Sequence, residues 1–140
     1  MEHKTLDEIR SASLTVPVAI VGRDMSRKEK LGHWATLLER HRGPLKPLGG
    51  IEFLSVDKRR GLRGDNSPLA VAYSDPVCRA HGLKSDRLDD GMAFFELSDG
   101  EAHRLLCECY YGGRMSSKDL AGRLRYAARH PLLFRFFNWM

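Results

Sequence analysis

The chain has 140 residues, 42% of them hydrophobic and 29% charged, with a formal net charge of +5. That length suits one core and is too short for two, and the balance of apolar and charged residues excludes an intrinsically disordered chain, a collagen and a coiled-coil rod. No apolar run reaches the roughly 18 residues of a membrane-spanning helix.

The charge is distributed in blocks: −1 over residues 1–24, +6 over 25–64, −5 over 65–101 and +5 over 102–140. Blocks of this kind either neutralise one another inside the fold or present a basic face to a polyanion. The apolar run from Leu14 to Gly22 contains Pro17 and follows Glu2, Asp7 and Glu8. A secretory signal begins instead with a positive region, so no export signal is read. Three cysteines, Cys78, Cys107 and Cys109, are too few and odd in number for a disulfide framework. A reducing, cytoplasmic setting is therefore expected.

Residues 1–24 form a lead-in, in which Leu14, Val16, Val18 and Ile20 alternate as one edge strand would. Residues 25–140 are expected to form a single helical domain. Ser26 and Glu29 have the spacing of a capping box, in which side chain and backbone satisfy each other's open amides. Leu31, Trp34, Ala35 and Leu38 then follow at helical spacing up to Gly43-Pro44. Residues 43–66 read as a loop, with one strand at Ile51, Phe53, Leu54 and Val56 and a basic turn at Lys58, Arg59, Arg60 and Arg63. Ser67-Pro68 and Asp75-Pro76 each offer an N-cap followed by a proline suited to the first helical position. They predict two short helices, the second ending at Gly82.

Leu88, Met92 and Phe95 mark the next helix. Ser98 and Glu101 form a second capping box, opening a helix that Ala102, Leu105, Leu106, Cys109 and Tyr110 extend to Gly112-Gly113. Ser116 or Ser117 caps a last helix carrying Leu120, Leu124 and Ala127, which runs to His130-Pro131. The fold class is thus mainly α: a compact domain of about six short helices with at most one or two short strands in the N-terminal half. Its expected core includes Leu31, Trp34, Leu38, Met92, Phe95, Leu105, Leu106, Cys109, Leu120 and Leu124.

Four residues have the chemistry of a metal site. Cys78 and His81 stand three apart on one helix, and His103 and Cys107 four apart on another, so two facing pairs would supply the nitrogen and sulfur ligands of a tetrahedral zinc. His103 and Cys107 fall at the boundary of the apolar stripe centred near Leu106. Cys109 falls in its middle and reads as a small buried hydrophobe. No cofactor is expected, zinc being the alternative this set raises. As a thiol nucleophile Cys78 is better placed than Cys107, since it lies in a helix's first turn beside Arg79. Asp86, Asp89 and Asp90 lack the offsets of a calcium loop, and no Walker, dinucleotide, hydrolase-elbow or zincin motif occurs.

Over Leu97 to Arg125, a capped helix, a glycine turn and S-S-K-D-L-A-G-R-L resemble the opening helices of a helix-turn-helix. Lys118, Arg125 and Arg129 fall on one outward stripe of the later helix, which is chemically suited to phosphate contact, and Lys58, Arg59, Arg60 and Arg63 of the loop join them as nucleic-acid candidates. The separate recognition helix of the motif is missing. The C-terminal LLFRFFNWM is apolar almost all round, and Phe134, Phe136, Phe137 and Trp139 have the character of partner anchors. They are expected to bury on this chain's own core, on a protein partner, on a second copy as a homodimer or on a membrane surface.

With no catalytic constellation in view, the reading leans against an enzyme and toward a non-enzymatic cytoplasmic binding or regulatory module. A nucleic-acid binder is the alternative, and a Cys/His metal-stabilised domain or thiol enzyme the third.

Overall fold

A computed structural model describes residues 24–49, 54–112 and 114–130. Seven α-helices account for most of it: α1 (Arg27–Arg40), α2 (Val56–Arg60), α3 (Pro68–Tyr73), α4 (Pro76–Ala80), α5 (Leu88–Phe95), α6 (Asp99–Leu106) and α7 (Ser117–Arg129). A 3-10 turn, Glu108–Tyr110, follows α6. Among the described residues there is no strand, and the protein is compact and mainly helical. No helix among them is long and apolar enough to cross a membrane. The alternation at 14–20 and the apolar tail lie outside the described residues.

Most of the helix starts follow from local chemistry. Ser26 and Ser98 each accept a hydrogen bond from the backbone amide three residues on, while Glu29 and Glu101 reach back to the cap's own amide, completing both capping boxes. Ser67 and Asp75 cap α3 and α4 with Pro68 and Pro76 just inside. Ser116 caps α7. Gly82, just past α4, has φ 115°, a conformation that side chains rarely adopt.

The core is organised around α1. Leu31, Trp34, Ala35 and Leu38 are wholly buried. Trp34 stacks on Phe95 of α5 at 4.0 Å between ring centroids. Its indole N–H donates to the Pro68 carbonyl at 3.0 Å, so one side chain ties three helices together. α7 lays Leu120, Ala121, Leu124 and Ala127 into the same core, and its principal neighbour is α1. The start of α1 is anchored by Arg27, which donates to the Glu96 carbonyl and pairs with the fully buried Glu101.

Three expectations change. Val56 opens α2, capped by Ser55, where a strand and a basic turn were expected; Ile51 and Phe53 lie outside the described residues. Met92 is only partly buried. The helix expected to run through Cys109 stops at Leu106. There the amide of Leu48 takes the Leu106 carbonyl at 2.8 Å, the acceptor that another helical turn would need, and the Glu108 amide donates to the Leu48 carbonyl at 3.1 Å. This isolated parallel bridge between Leu48 and Cys107 ends α6.

α3 and α5 approach closely through Gly91, where a β-carbon would lie 2.4 Å from Leu69 Cδ2. Leu69 is fully buried and has little room to yield. Gly91→Ala is therefore expected to destabilise the protein by about 1–3 kcal/mol, the usual cost of overpacking, despite alanine's better helix propensity. Urea denaturation measures it, and an unchanged or raised midpoint would contradict the packing described.

Candidate thiol and imidazole site

The early end of α6 creates the site. His103 sits on the last full turn of the helix, and its carbonyl accepts the Cys107 amide at 3.1 Å. Cys107 then adopts an extended conformation, and the 3-10 turn carries Cys109 back toward the imidazole. Cys109 Sγ lies 3.6 Å from His103 Nε2 and 3.1 Å from Cys107 Sγ. One donor atom from each of the three residues falls within 4.8 Å of the others. None of the cysteines is in a disulfide.

The site has a closed side and an open side. Cys107 is fully buried and His103 is 7% exposed, whereas Cys109 faces solvent. Tyr110 meets the His103 ring edge to face at 5.1 Å. Its own carbonyl accepts from Arg123 of α7 at 3.2 Å. Tyr111 donates its hydroxyl to the Leu105 carbonyl at 2.7 Å, beneath the Arg123 guanidinium. Burial pushes that hydroxyl well above the usual tyrosine range, and Arg123 only partly offsets it. Tyr111 is thus a neutral donor fixing the turn that presents Cys109.

Of the expected metal set, His103 and Cys107 come together, with Cys109 as their third member. Cys78 belongs to a separate cluster with His33 and Asp75, and His81, at the end of α4, is in neither group among the described residues. Cys109 was expected in the core, and it is exposed because the helix ends before reaching it. The signal available was the C-x-C spacing. On a helix, residues two apart diverge, but in an extended-then-turned backbone their side chains share one side.

The second cluster is structural. Asp75 Oδ2 accepts from His33 Nε2 at 2.9 Å and from the Cys78 amide at 3.0 Å, all three residues being buried. Desolvation raises the carboxyl's pKa, but the hydrogen bonds from His33 and Cys78 outweigh it and hold Asp75 below the ordinary carboxylate range. Through Oδ2 the carboxylate fastens α1 to the first turn of α4. Burial, then the neighbouring carboxylate, pushes the Cys78 thiol far up, so the nucleophilic role considered for it is not supported.

The basic residues do not form one surface of uncommitted charge. Arg63 makes a two-pronged pair with Asp86 at 2.9 and 3.0 Å. Arg125 pairs with Glu39 at 2.7 Å and reaches Thr36. Arg59 donates to the Leu54 carbonyl. Lys58 and Arg60 on α2, and Lys118 and Arg129 on α7, are exposed. Phe134, Phe136, Phe137 and Trp139 lie outside the described residues. Compared with family models, curated proteins and solved structures, the chain matches none.

Proposed function

We propose that this protein is a small helical binding module that takes up one thiophilic divalent ion, zinc foremost, on His103, Cys107 and Cys109. The observation that supports it is the convergence of one imidazole and two thiols within 4.8 Å. Two thiolates balance a divalent charge, and sulfur with imidazole nitrogen is the donor set that favours zinc over magnesium or calcium.

The dimensions agree with this choice. Tetrahedral zinc, with bonds of about 2.3 Å to sulfur and about 2.0–2.1 Å to nitrogen, sets neighbouring sulfur and nitrogen about 3.6 Å apart and two sulfurs about 3.8 Å apart. Cys109 and His103 already stand at 3.6 Å. The sulfur pair, at 3.1 Å, needs only to open slightly as its protons leave. Three protein donors leave a fourth position on the Cys109 side for water or for a donor from a bound partner. In that way metal uptake serves a binding role.

Competition against a chromophoric chelator tests the reading on the reduced, full-length protein. One zinc per chain is expected, with affinity falling as pH is lowered, because the thiols and the imidazole must shed protons to bind. Failure to compete would contradict the reading. So would binding that survives Cys109→Ser but is lost in Cys78→Ser, since the ion would then belong to the other cluster.

A further inference from the structure

We infer that Cys107 and Cys109 are a redox pair that closes into a reversible disulfide, making the metal site one that oxidation empties. The inference concerns the regulation of the site just proposed and rests on that reading for the release of metal, while the disulfide itself rests on geometry alone. The two sulfurs are 3.1 Å apart before any bond exists. The backbone is already shaped for the closure, with Cys107 extended at φ −80°, ψ 139° and Cys109 in the 3-10 turn immediately after it. The hydrogen bonds of Leu48 to Leu106 and Glu108 hold that shape from both sides.

The exposures divide the labour. Cys109 is open to solvent and is the sulfur an oxidant reaches first, whereas Cys107, fully buried, is shielded from oxidants and stands 3.1 Å from the Cys109 sulfur. With hydrogen peroxide as oxidant, the Cys109 thiol loses its proton to solvent and its sulfur attacks one peroxide oxygen. The O–O bond breaks, hydroxide leaves and is protonated to water, and Cys109 becomes a sulfenic acid. The Cys107 sulfur then attacks the Cys109 sulfur, forming the S–S bond, breaking the S–O bond and releasing a second water that carries away the Cys107 proton. Two thiols and one peroxide have become one disulfide and two waters. An external dithiol reverses the change by exchange, taking up the oxidation itself. Closure removes both sulfur ligands at once, leaving His103 to hold the ion alone.

The test uses the full chain, reduced and stripped of metal with a chelator, then exposed to a small excess of hydrogen peroxide. The expected product is a monomer lighter by two hydrogens. Its disulfide lies within the single tryptic peptide between Arg104 and Arg114 and is reversed by dithiothreitol. Cys107→Ser should instead leave a Cys109 sulfenic acid that dimedone traps, and Cys78→Ser should behave as the parent. A chain that only gains oxygen at Cys109, or that links Cys109 to Cys78 or to a second copy, overturns the inference. A zinc titration of the reduced protein is run beside it. Disulfide without zinc binding removes the metal reading and the release of metal that rests on it but leaves the redox pair, and zinc binding without disulfide removes this inference alone. Saturating zinc should slow the oxidation by about tenfold or more, because only the metal-free fraction exposes its thiols; an unchanged rate overturns the coupling of oxidation to metal.

Discussion

Cys109→Ser should lower zinc affinity by about 100-fold or more. Groups that merely orient a metal's ligands contribute about 10- to 100-fold, and a direct ligand contributes at least as much. The exposed position of Cys109 makes this the cleanest substitution in the site, since a serine there creates no buried cavity and breaks no helix. Cys107→Ser would place a hydroxyl where nothing is exposed to solvent, mixing loss of a ligand with loss of packing. His103→Ala should weaken binding comparably, but it also removes the contact with Tyr110, so its thermal unfolding must be measured alongside. Parent-like zinc affinity in Cys109→Ser would place the ion elsewhere.

The second large effect is expected far from the metal. Asp75→Ala removes the acceptor of the His33 imidazole and of the Cys78 amide in one step. Breaking a buried pair of this kind costs about 3–5 kcal/mol, including the N-cap's share of about 1. In a chain of this size that corresponds to a fall in melting temperature of about 10–15 °C. Asp75→Asn keeps an oxygen for the cap and should lose less.

The same carboxylate predicts a pH signature. Its folded pKa is depressed below the unfolded one. Its contribution is therefore fully present above the unfolded carboxylate pKa, about 3.9, and is lost as pH falls through the lower folded value. The stability gap between parent and Asp75→Ala should accordingly narrow below about pH 4. A gap that stays constant on the acid side would mean that the carboxylate is not held ionised by these partners.

How far the fold could be read in advance depended on where each element's cause lies. The starts of α1, α3, α4, α6 and α7 are written in adjacent residues: a serine or aspartate cap, a glutamate three on, or a proline just inside. The apolar spacing of Leu31, Trp34 and Leu38 likewise placed the centre of the core. The end of α6 has no such local cause. It comes from Leu48, more than fifty residues away, whose amide claims the Leu106 carbonyl. Helical periodicity through Cys109 and Tyr110 therefore pointed to a continued helix, and tertiary pairing overrode it. The site inherited that error. A continuous helix turns Cys107 and Cys109 apart, so His103 and Cys107 were legible as ligands while Cys109 was assigned to the core. α2 was missed for a different reason: Ile51, Phe53 and Val56 have strand-like side chains, and they outweighed the adjacent Ser55 cap that starts a helix at Val56.

Cobalt(II) substitution tests the central claim most directly, because its spectrum reports both the ligands and the geometry around the ion. The reduced chain titrated with cobalt should develop thiolate-to-cobalt charge transfer in the near ultraviolet, together with the intense visible bands of a tetrahedral ion, saturating at one metal per chain. Zinc should displace it, and Cys109→Ser should lose much of the charge-transfer intensity while Cys78→Ser keeps all of it. A weak, pale spectrum of octahedral cobalt, the same in the parent and in Cys109→Ser, would contradict a metal site at His103, Cys107 and Cys109.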